Sequence, residues 1–357
     1  MAIFASGRQT RLNSAVPAKP LARLTQGYLI ALVGTSIWSS TAIFIRYLTE
    51  THRLPPLVLA FWRDLLVFLA LGVVFAIANR RRLRVEPRRL KFLVLYGLVL
   101  AIFNALWTVS VTLNGAAVST VLAYSSPAFT AILAWRLFNE RLDRVKVLAV
   151  GLSIIGCAFV SGAYDLQSWS VNLFGITTGL LSGLAFAGYS LMGKAASEHN
   201  IHPWTTLLYT FGFAALFLLA FNLVPGWLPG AAAAPGWHSI DPATWLGESL
   251  PGWGALILLA VGPTIGGYGL YMVSLTYLPA SVANLIATLE PSLTAVQAYL
   301  FLGERLSVPQ LLGSALIVLG VIVLRLNQGS RLAWKTKLKN FDRPEGSRIP
   351  RTTGSGE

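Results

Sequence analysis

Ten apolar runs follow one another along this chain, each near the roughly 20 residues that a helix needs to cross a bilayer. They lie near 27–48, 55–78, 92–113, 115–138, 145–162, 173–195, 204–224, 254–278, 280–302 and 308–326. Two of the joins are very short, yet Asn114-Gly115 and Pro279 are turn residues and place a break at each. The pattern predicts an all-α membrane protein of ten transmembrane helices.

The runs are not independent of one another. The segment 106–142, LWTVSVTLNGAAVSTVLAYSSPAFTAILAWRLFNERL, aligns without a gap on 270–306, LYMVSLTYLPASVANLIATLEPSLTAVQAYLFLGERL, at an offset of 164 residues. Val109/Val273, Ser110/Ser274, Thr112/Thr276, Pro127/Pro291, Thr130/Thr294, Glu140/Glu304 and Arg141/Arg305 coincide. Shared Leu or Ala is expected of any two apolar helices, whereas matched Ser, Thr, Pro, Glu and Arg are not. The offset spans five helices, so the chain reads as two five-helix repeats. Because five is odd, the second repeat lies inverted relative to the first. That arrangement is typical of secondary transporters, with the substrate site near the midplane between the repeats.

Charge then orients the bundle. Only 12% of the 357 residues are charged, about half the share of a soluble domain, and 55% are hydrophobic. The net charge of +14 does not point to nucleic acid, because the basic residues cluster in a few connections. With the N-terminus inside, Lys and Arg fall on the cytoplasmic side: in the N-tail, at Arg80–Lys91, at Arg136–Lys146, at Lys194 and in the C-tail. The outer connections hold Arg53 and Arg305, and 225–253 holds no Lys or Arg. Both termini are therefore expected in the cytoplasm. The expected organisation is a basic N-tail over 1–26, repeats over 27–162 and 173–326, an external loop at 225–253 and a disordered basic tail over 327–357. Trp227, Trp237, Trp245 and Trp253 in or beside that loop suit the membrane interface. The first run is too long for a signal-peptide core and is kept as a span. The single cysteine, Cys157, offers neither a disulfide framework nor a cysteine metal site.

Ten spans in two halves, each closing with a proline-bearing helix and an E-R-L ending (Glu140-Arg141-Leu142 and Glu304-Arg305-Leu306), resemble the EamA-like family of the drug/metabolite transporter superfamily. Trp38-Ser39-Ser40 in the first span and Trp62-Arg63 in the second fit the same pattern. The resemblance covers roughly 27–326. It implies export of amino acids or other small metabolites through a cavity enclosed by helices 1–4 and 6–9, with helices 5 and 10 peripheral.

Among individual residues, Glu290 is the leading candidate. An ionisable group in mid-span costs about 2.5–3.5 kcal/mol on insertion scales and is by default a functional candidate. Pro291 beside it removes a backbone N–H and leaves a carbonyl free. Glu290 can bind a substrate amine or carry a coupling proton; the plainer reading is a protonated acid bonded to a neighbouring helix. Its repeat counterpart Ser126, with Ser125 and Tyr124, can line the same cavity or hold helices together. Arg63 can clamp a carboxylate or brace a neighbouring helix, and its neighbour Asp64 need not face it, since adjacent helical residues diverge. Arg46 and Lys194 read as anchors or gates. Trp38, Trp107, Tyr189, Tyr268 and Tyr271 offer aromatic surfaces for substrate or for packing. Gly175, Gly179, Gly183 and Ala187 form a stripe for close helix contact. Gly262, Pro263, Gly266, Gly267 and Gly269 mark a segment able to kink or unwind.

No H-E-x-x-H zinc pair, G-x-S-x-G elbow or P-loop occurs, which disfavours an enzyme and an ATP-driven pump. No catalytic residue, metal ligand or cofactor is assigned. The expected partners are a small-molecule substrate, the bilayer of a cell membrane and a coupling proton. The sequence favours an amino-compound exporter working by alternating access. A transporter of organic anions or sugar phosphates, and a non-transporting receptor or intramembrane enzyme, are the alternatives.

Overall fold

The computed structural model describes residues 20–165, 173–223, 240–302 and 307–341, and within them every regular element is a helix. Nine of these helices are long and apolar enough to cross a membrane, and each falls on one of the expected runs. The remaining run, 280–302, is split into α12 (Ala280–Ala287) and α13 (Glu290–Leu302).

The first span is also interrupted. It consists of α1 (Pro20–Trp38), a turn at Ser39-Ser40, α2 (Thr41–Arg46) and a π-helical turn over Tyr47–Thr51. Helix thus begins seven residues before the expected start at 27. The second span is α3 (Pro56–Ala78), which opens on a proline whose missing N–H costs nothing at a helix start.

α4 (Pro87–Ala123) differs from the expected pair of helices separated at Asn114-Gly115, because its backbone stays helical throughout. Yet Ser110 and Ser119 share a hydroxyl hydrogen bond of 2.9 Å. Nine residues of straight helix would hold them about 13.5 Å apart. The chain therefore bends back sharply between them within α4, and the expected reversal is present without a separate loop. α5 (Ser126–Phe138) and α6 (Arg144–Ser161) complete the first repeat.

In the second repeat, α7 (Leu173–Glu198) and α8 (Pro203–Leu223) are continuous. Of the expected external loop, Trp227 and Trp237 lie outside the described residues. Its later part is helical, with a short α9 (Ala243–Leu246) and α10 (Leu250–Leu259), so Trp253 belongs to a helix. Trp62 Nε1 donates to the Ile240 carbonyl at 2.6 Å and pins this stretch to α3.

α10 runs into a π-helical segment, Ala260–Tyr268, and then α11 (Gly269–Ser274). Pro263 is the physical cause. It cannot donate to the Leu259 carbonyl, and the Thr264 hydroxyl takes that acceptor instead at 2.7 Å. The expected break at Pro279 is present, the proline standing as N-cap of α12.

α14 (Val308–Phe341) extends past the expected end of the last span at Leu326 into the tail expected over 327–357. Extending an existing helix needs no new nucleus, and this stretch carries Leu, Ala, Trp and Lys with one isolated glycine.

The packing of α6 on α14 displays the relation between the repeats. A Cβ on Gly156 would lie 2.6 Å from the Gly313 carbonyl oxygen, and one on Gly313 would lie 2.6 Å from the Gly156 carbonyl oxygen. A Cβ on Gly320 would lie 2.8 Å from the Ala149 carbonyl oxygen. At the 164-residue offset, Ala149 corresponds to Gly313 and Gly156 to Gly320. The two contacts are therefore one contact seen twice. They run in opposite chain directions, so the last helices of the two repeats are antiparallel. Small residues bring such helices together where lipid gives no hydrophobic incentive.

Candidate functional site

Two helix breaks face each other at the centre of the bundle. In the first repeat Pro127 deprives the Ala123 carbonyl of its helical donor, and the chain turns at Tyr124-Ser125 between α4 and α5. In the second repeat Pro291 does the same to the Ala287 carbonyl, with the turn at Thr288-Leu289 between α12 and α13. The turns are equivalent at the repeat offset. Gly183 on α7 makes room for the first: a Cβ there would lie 2.6 Å from Ser125 Oγ and 3.0 Å from the Ala123 carbonyl oxygen.

Across these breaks Tyr124 Oη donates to Glu290 Oε2 at 2.5 Å, linking the repeats. A phenol bound to a carboxylate is among the stronger hydrogen bonds, and in an apolar surrounding it is stronger still. Glu290 is half-buried, with its helix beginning at the carboxylate itself.

A second link lies beside the first. Ser126 Oγ donates to Asn284 Oδ1 at 3.0 Å, and Asn284 Nδ2 reaches Ser190 Oγ at 2.7 Å. Tyr271 Oη donates to the same serine oxygen at 2.7 Å. All four residues are buried. Asn284 and Ser190 were not singled out by the sequence. A lone Asn in an apolar helix is the signal that points to the first, while nothing distinguishes Ser190 from other helix serines.

The aromatic candidates largely converge. The Trp38 ring centroid is 4.3 Å from that of Tyr268 and 5.9 Å from that of Tyr271. Tyr189 lies 6.0 Å edge-on to Tyr268, and Phe186, absent from the expected set, touches Trp38 at 5.7 Å. Gly267 lets α1 approach the π segment, since a Cβ there would lie 2.6 Å from Trp38 Cβ. Trp107 stands apart: it is half-buried and makes no ring contact among the described residues. Ser125 turns its hydroxyl back onto the Leu122 carbonyl of α4 at 2.6 Å.

Arg63 and Asp64 answer a point the sequence left open. Although adjacent on α3, they pair, with Arg63 Nε 2.9 Å from Asp64 Oδ1. Asn104 joins both, accepting from Arg63 Nη2 at 3.4 Å and donating to Asp64 Oδ2 at 3.5 Å. The guanidinium is long enough to fold back on its neighbour. The triad is buried and lies within electrostatic reach of Tyr268.

The turn in the first span is tied to the second repeat as well. Thr294 Oγ1 donates to the Ser39 carbonyl at 2.9 Å, and Gln297 Nε2 donates to the Ser36 carbonyl and Ser39 Oγ, each at 2.9 Å. Lys194 spends its ammonium on the Leu275 and Leu278 carbonyls at 3.1 and 3.2 Å, and Arg46 pairs with Glu50 at 3.1 Å. Among the described residues, no group of His, Cys, Asp and Glu is arranged to hold a metal ion.

Known proteins resemble this chain along most of its length. An uncharacterized transporter of Synechocystis is 29% identical over 245 residues, 68% of this chain and 69% of that protein. The threonine/homoserine exporter RhtA of Escherichia coli K12 is 30% identical over 282 residues, 77% of this chain and 83% of that protein. A crystal structure covering 86% of this chain and 99% of its own superposes with a TM-score of 0.64 at 18% identity, a likeness of fold. Residues 25–162 and 173–326 each match one and the same family. With both repeats matched and the centre of the bundle built from their paired breaks, the chain belongs to the EamA-like transporter family, as a multi-pass transporter of the cell membrane and not an enzyme.

Proposed function

We propose that the protein exports amino acids or closely related amino compounds by alternating access, with Glu290 as both the amine site and the coupling-proton site. The observation that carries this reading is the Tyr124–Glu290 hydrogen bond between two equivalent helix breaks. A carboxylate held between the repeats suits a substrate ammonium, and the Trp38, Tyr268, Tyr271 and Tyr189 surfaces suit its organic part. An ammonium and a proton then compete for one carboxylate. Amine leaves outward as a proton takes its place, and the proton departs inward before the next amine binds. Ten crossings with both termini in the cytoplasm complete the proposal, supported by the charge distribution. The similarity to RhtA, a threonine/homoserine exporter, lends support to the same direction.

The alternative of an anion carrier needs Arg46, Arg63 or Lys194 to be available. Each is engaged with Glu50, Asp64 or the backbone carbonyls of Leu275 and Leu278 instead. Purified protein in liposomes tests the choice, using labelled amino acids, polyamines, organic acids and sugar phosphates with and without a pH gradient. Gradient-driven amine flux that disappears in Glu290→Gln is the expected result. Anion flux indifferent to that substitution defeats the proposal.

A further inference from the structure

At the end of the bundle away from the Trp62–Ile240 contact, the E-R-L motif of the first repeat does more than close a helix. Glu140, just past α5, reaches into the second repeat. Its Oε1 accepts from the backbone N–H of Ala280 at 2.8 Å, and its Oε2 accepts from the Ser281 hydroxyl. Lys146 on α6 completes the group, with Nζ 3.3 Å from Glu140 Oε2 and 2.9 Å from Ser281 Oγ. The carboxylate thus meets unsatisfied donors at the N-terminus of α12, where negative charge is favoured. Both charged side chains are largely buried, Glu140 at 10% and Lys146 at 7% exposure, so water competes little for this contact.

The repeat would place an equivalent clasp at the opposite end, and the sequence does not supply one. At the 164-residue offset Ser281 corresponds to Ala117 and Lys146 to Gln310, while Glu140 corresponds to Glu304. Gln310 is moreover committed to its own helix. Its Oε1 accepts from Ser307 N at 2.9 Å and from Ser307 Oγ at 3.2 Å, while its N–H meets Ser307 Oγ at 3.4 Å. That is a capping box. At the two positions equivalent to Ser281 and Lys146 the sequence therefore has neither a hydroxyl nor an ammonium.

We propose that Glu140, Lys146 and Ser281 form a one-sided latch that transport must undo. They hold shut the end of the pathway beside Arg136, Arg141 and Arg144, so the resting transporter favours the state open at the other end. The three are positioning residues for the transport cycle and do not touch substrate. This inference rests on the alternating-access reading above. Opening this end requires the Ala280 N–H, the Ser281 hydroxyl and the Lys146 ammonium to separate together from Glu140. A substrate arriving from this side has to offset that separation.

Hydrogen–deuterium exchange on the full-length protein in nanodiscs, without substrate, tests the latch. The segments to compare are Ala280–Asn284 and the far end, where Gly252 on α10 packs against His52. In Glu140→Gln, exchange at 280–284 rises about ten-fold or more, while exchange near 52–54 and 246–252 falls, because opening one end closes the other. Ser281→Ala, which leaves the Ala280 contact intact, shifts both segments the same way by less. It also serves as the fallback if Glu140→Gln does not fold. Faster exchange at 280–284 without slower exchange at the far end means a merely structural contact and overturns the proposal, as does no change at either end. Flux in liposomes together with no reciprocal shift counts against the latch alone, whereas absence of flux counts against the transport reading on which the latch rests.

Discussion

Arg63 and Asp64 together cost the membrane less than either alone, because each removes the other's charge from an apolar surrounding. Removing one partner strands the other. Arg63→Met is expected to destabilise the protein by about 3–5 kcal/mol, and the double change Arg63→Met with Asp64→Leu by much less. Unfolding in detergent by denaturant, read on both variants, checks this, and equal losses would contradict the pairing. A substrate-clamping arginine would instead leave stability intact and abolish flux. Tyr124→Phe makes the complementary case at the centre, since it removes one hydrogen bond to a carboxylate while keeping the ring. We expect a 10- to 100-fold weaker apparent affinity for the exported amine, roughly the value of a bond to a charged group, measurable as a shift in half-saturation of flux. Glu290 was legible as an ionisable residue in an apolar run. Its partner was named among the candidates, but the bond between them spans 166 positions, and periodicity along one dimension carries no such pairing.

Among the helices, the prolines were the readable features. Pro127, Pro291 and Pro263 each deprive a carbonyl of its donor, and each sits at an interruption or a π-helical stretch. Pro291→Ala restores that donor and should straighten the α12–α13 junction, drawing Glu290 away from Tyr124. The expected outcome is a fold as stable as the parent with flux reduced at least about ten-fold, since a misplacement of about 1 Å at a site can cost much more. Unaltered flux would mean that the break is incidental. The stripe at Gly179 and Gly183 was also legible as small residues at helical spacing, though not what they admit. A Cβ on Gly179 would lie 2.7 Å from Ser110 Oγ, so the stripe receives the doubled-back α4 as well as the turn at Ser125. Gly183→Leu should therefore disturb the turn and lower expression of folded protein, readable by size-exclusion profile, whereas Gly151→Leu, with nothing within 4 Å, should not. The doubling-back itself escaped the sequence as a helical feature, because turn residues normally end a helix and here the helical backbone runs on through them.

For the whole molecule, the repeat was the decisive sequence signal, since matched polar residues at one offset imply matched positions in space. What it did not reveal is where the halves depart from symmetry. Ser126 and Glu290 are equivalent in the alignment, yet one bonds Asn284 and the other Tyr124. The seam of α6 and α14 should be the stiffest contact between the repeats, with Gly156 and Gly313 in mutual backbone approach. Gly156→Leu is expected to split it, and hydrogen–deuterium exchange over 149–160 and 313–320 should rise accordingly. The reversal within α4 has a consequence for how the molecule is made. In the folded protein Ser110 bonds Ser119, so the reversal between these two spans takes up almost no chain outside the helices. The two spans are therefore expected to enter the bilayer together as one hairpin, so that a chain truncated at Gly115 should integrate less well than one truncated at Phe138, readable by carbonate extraction.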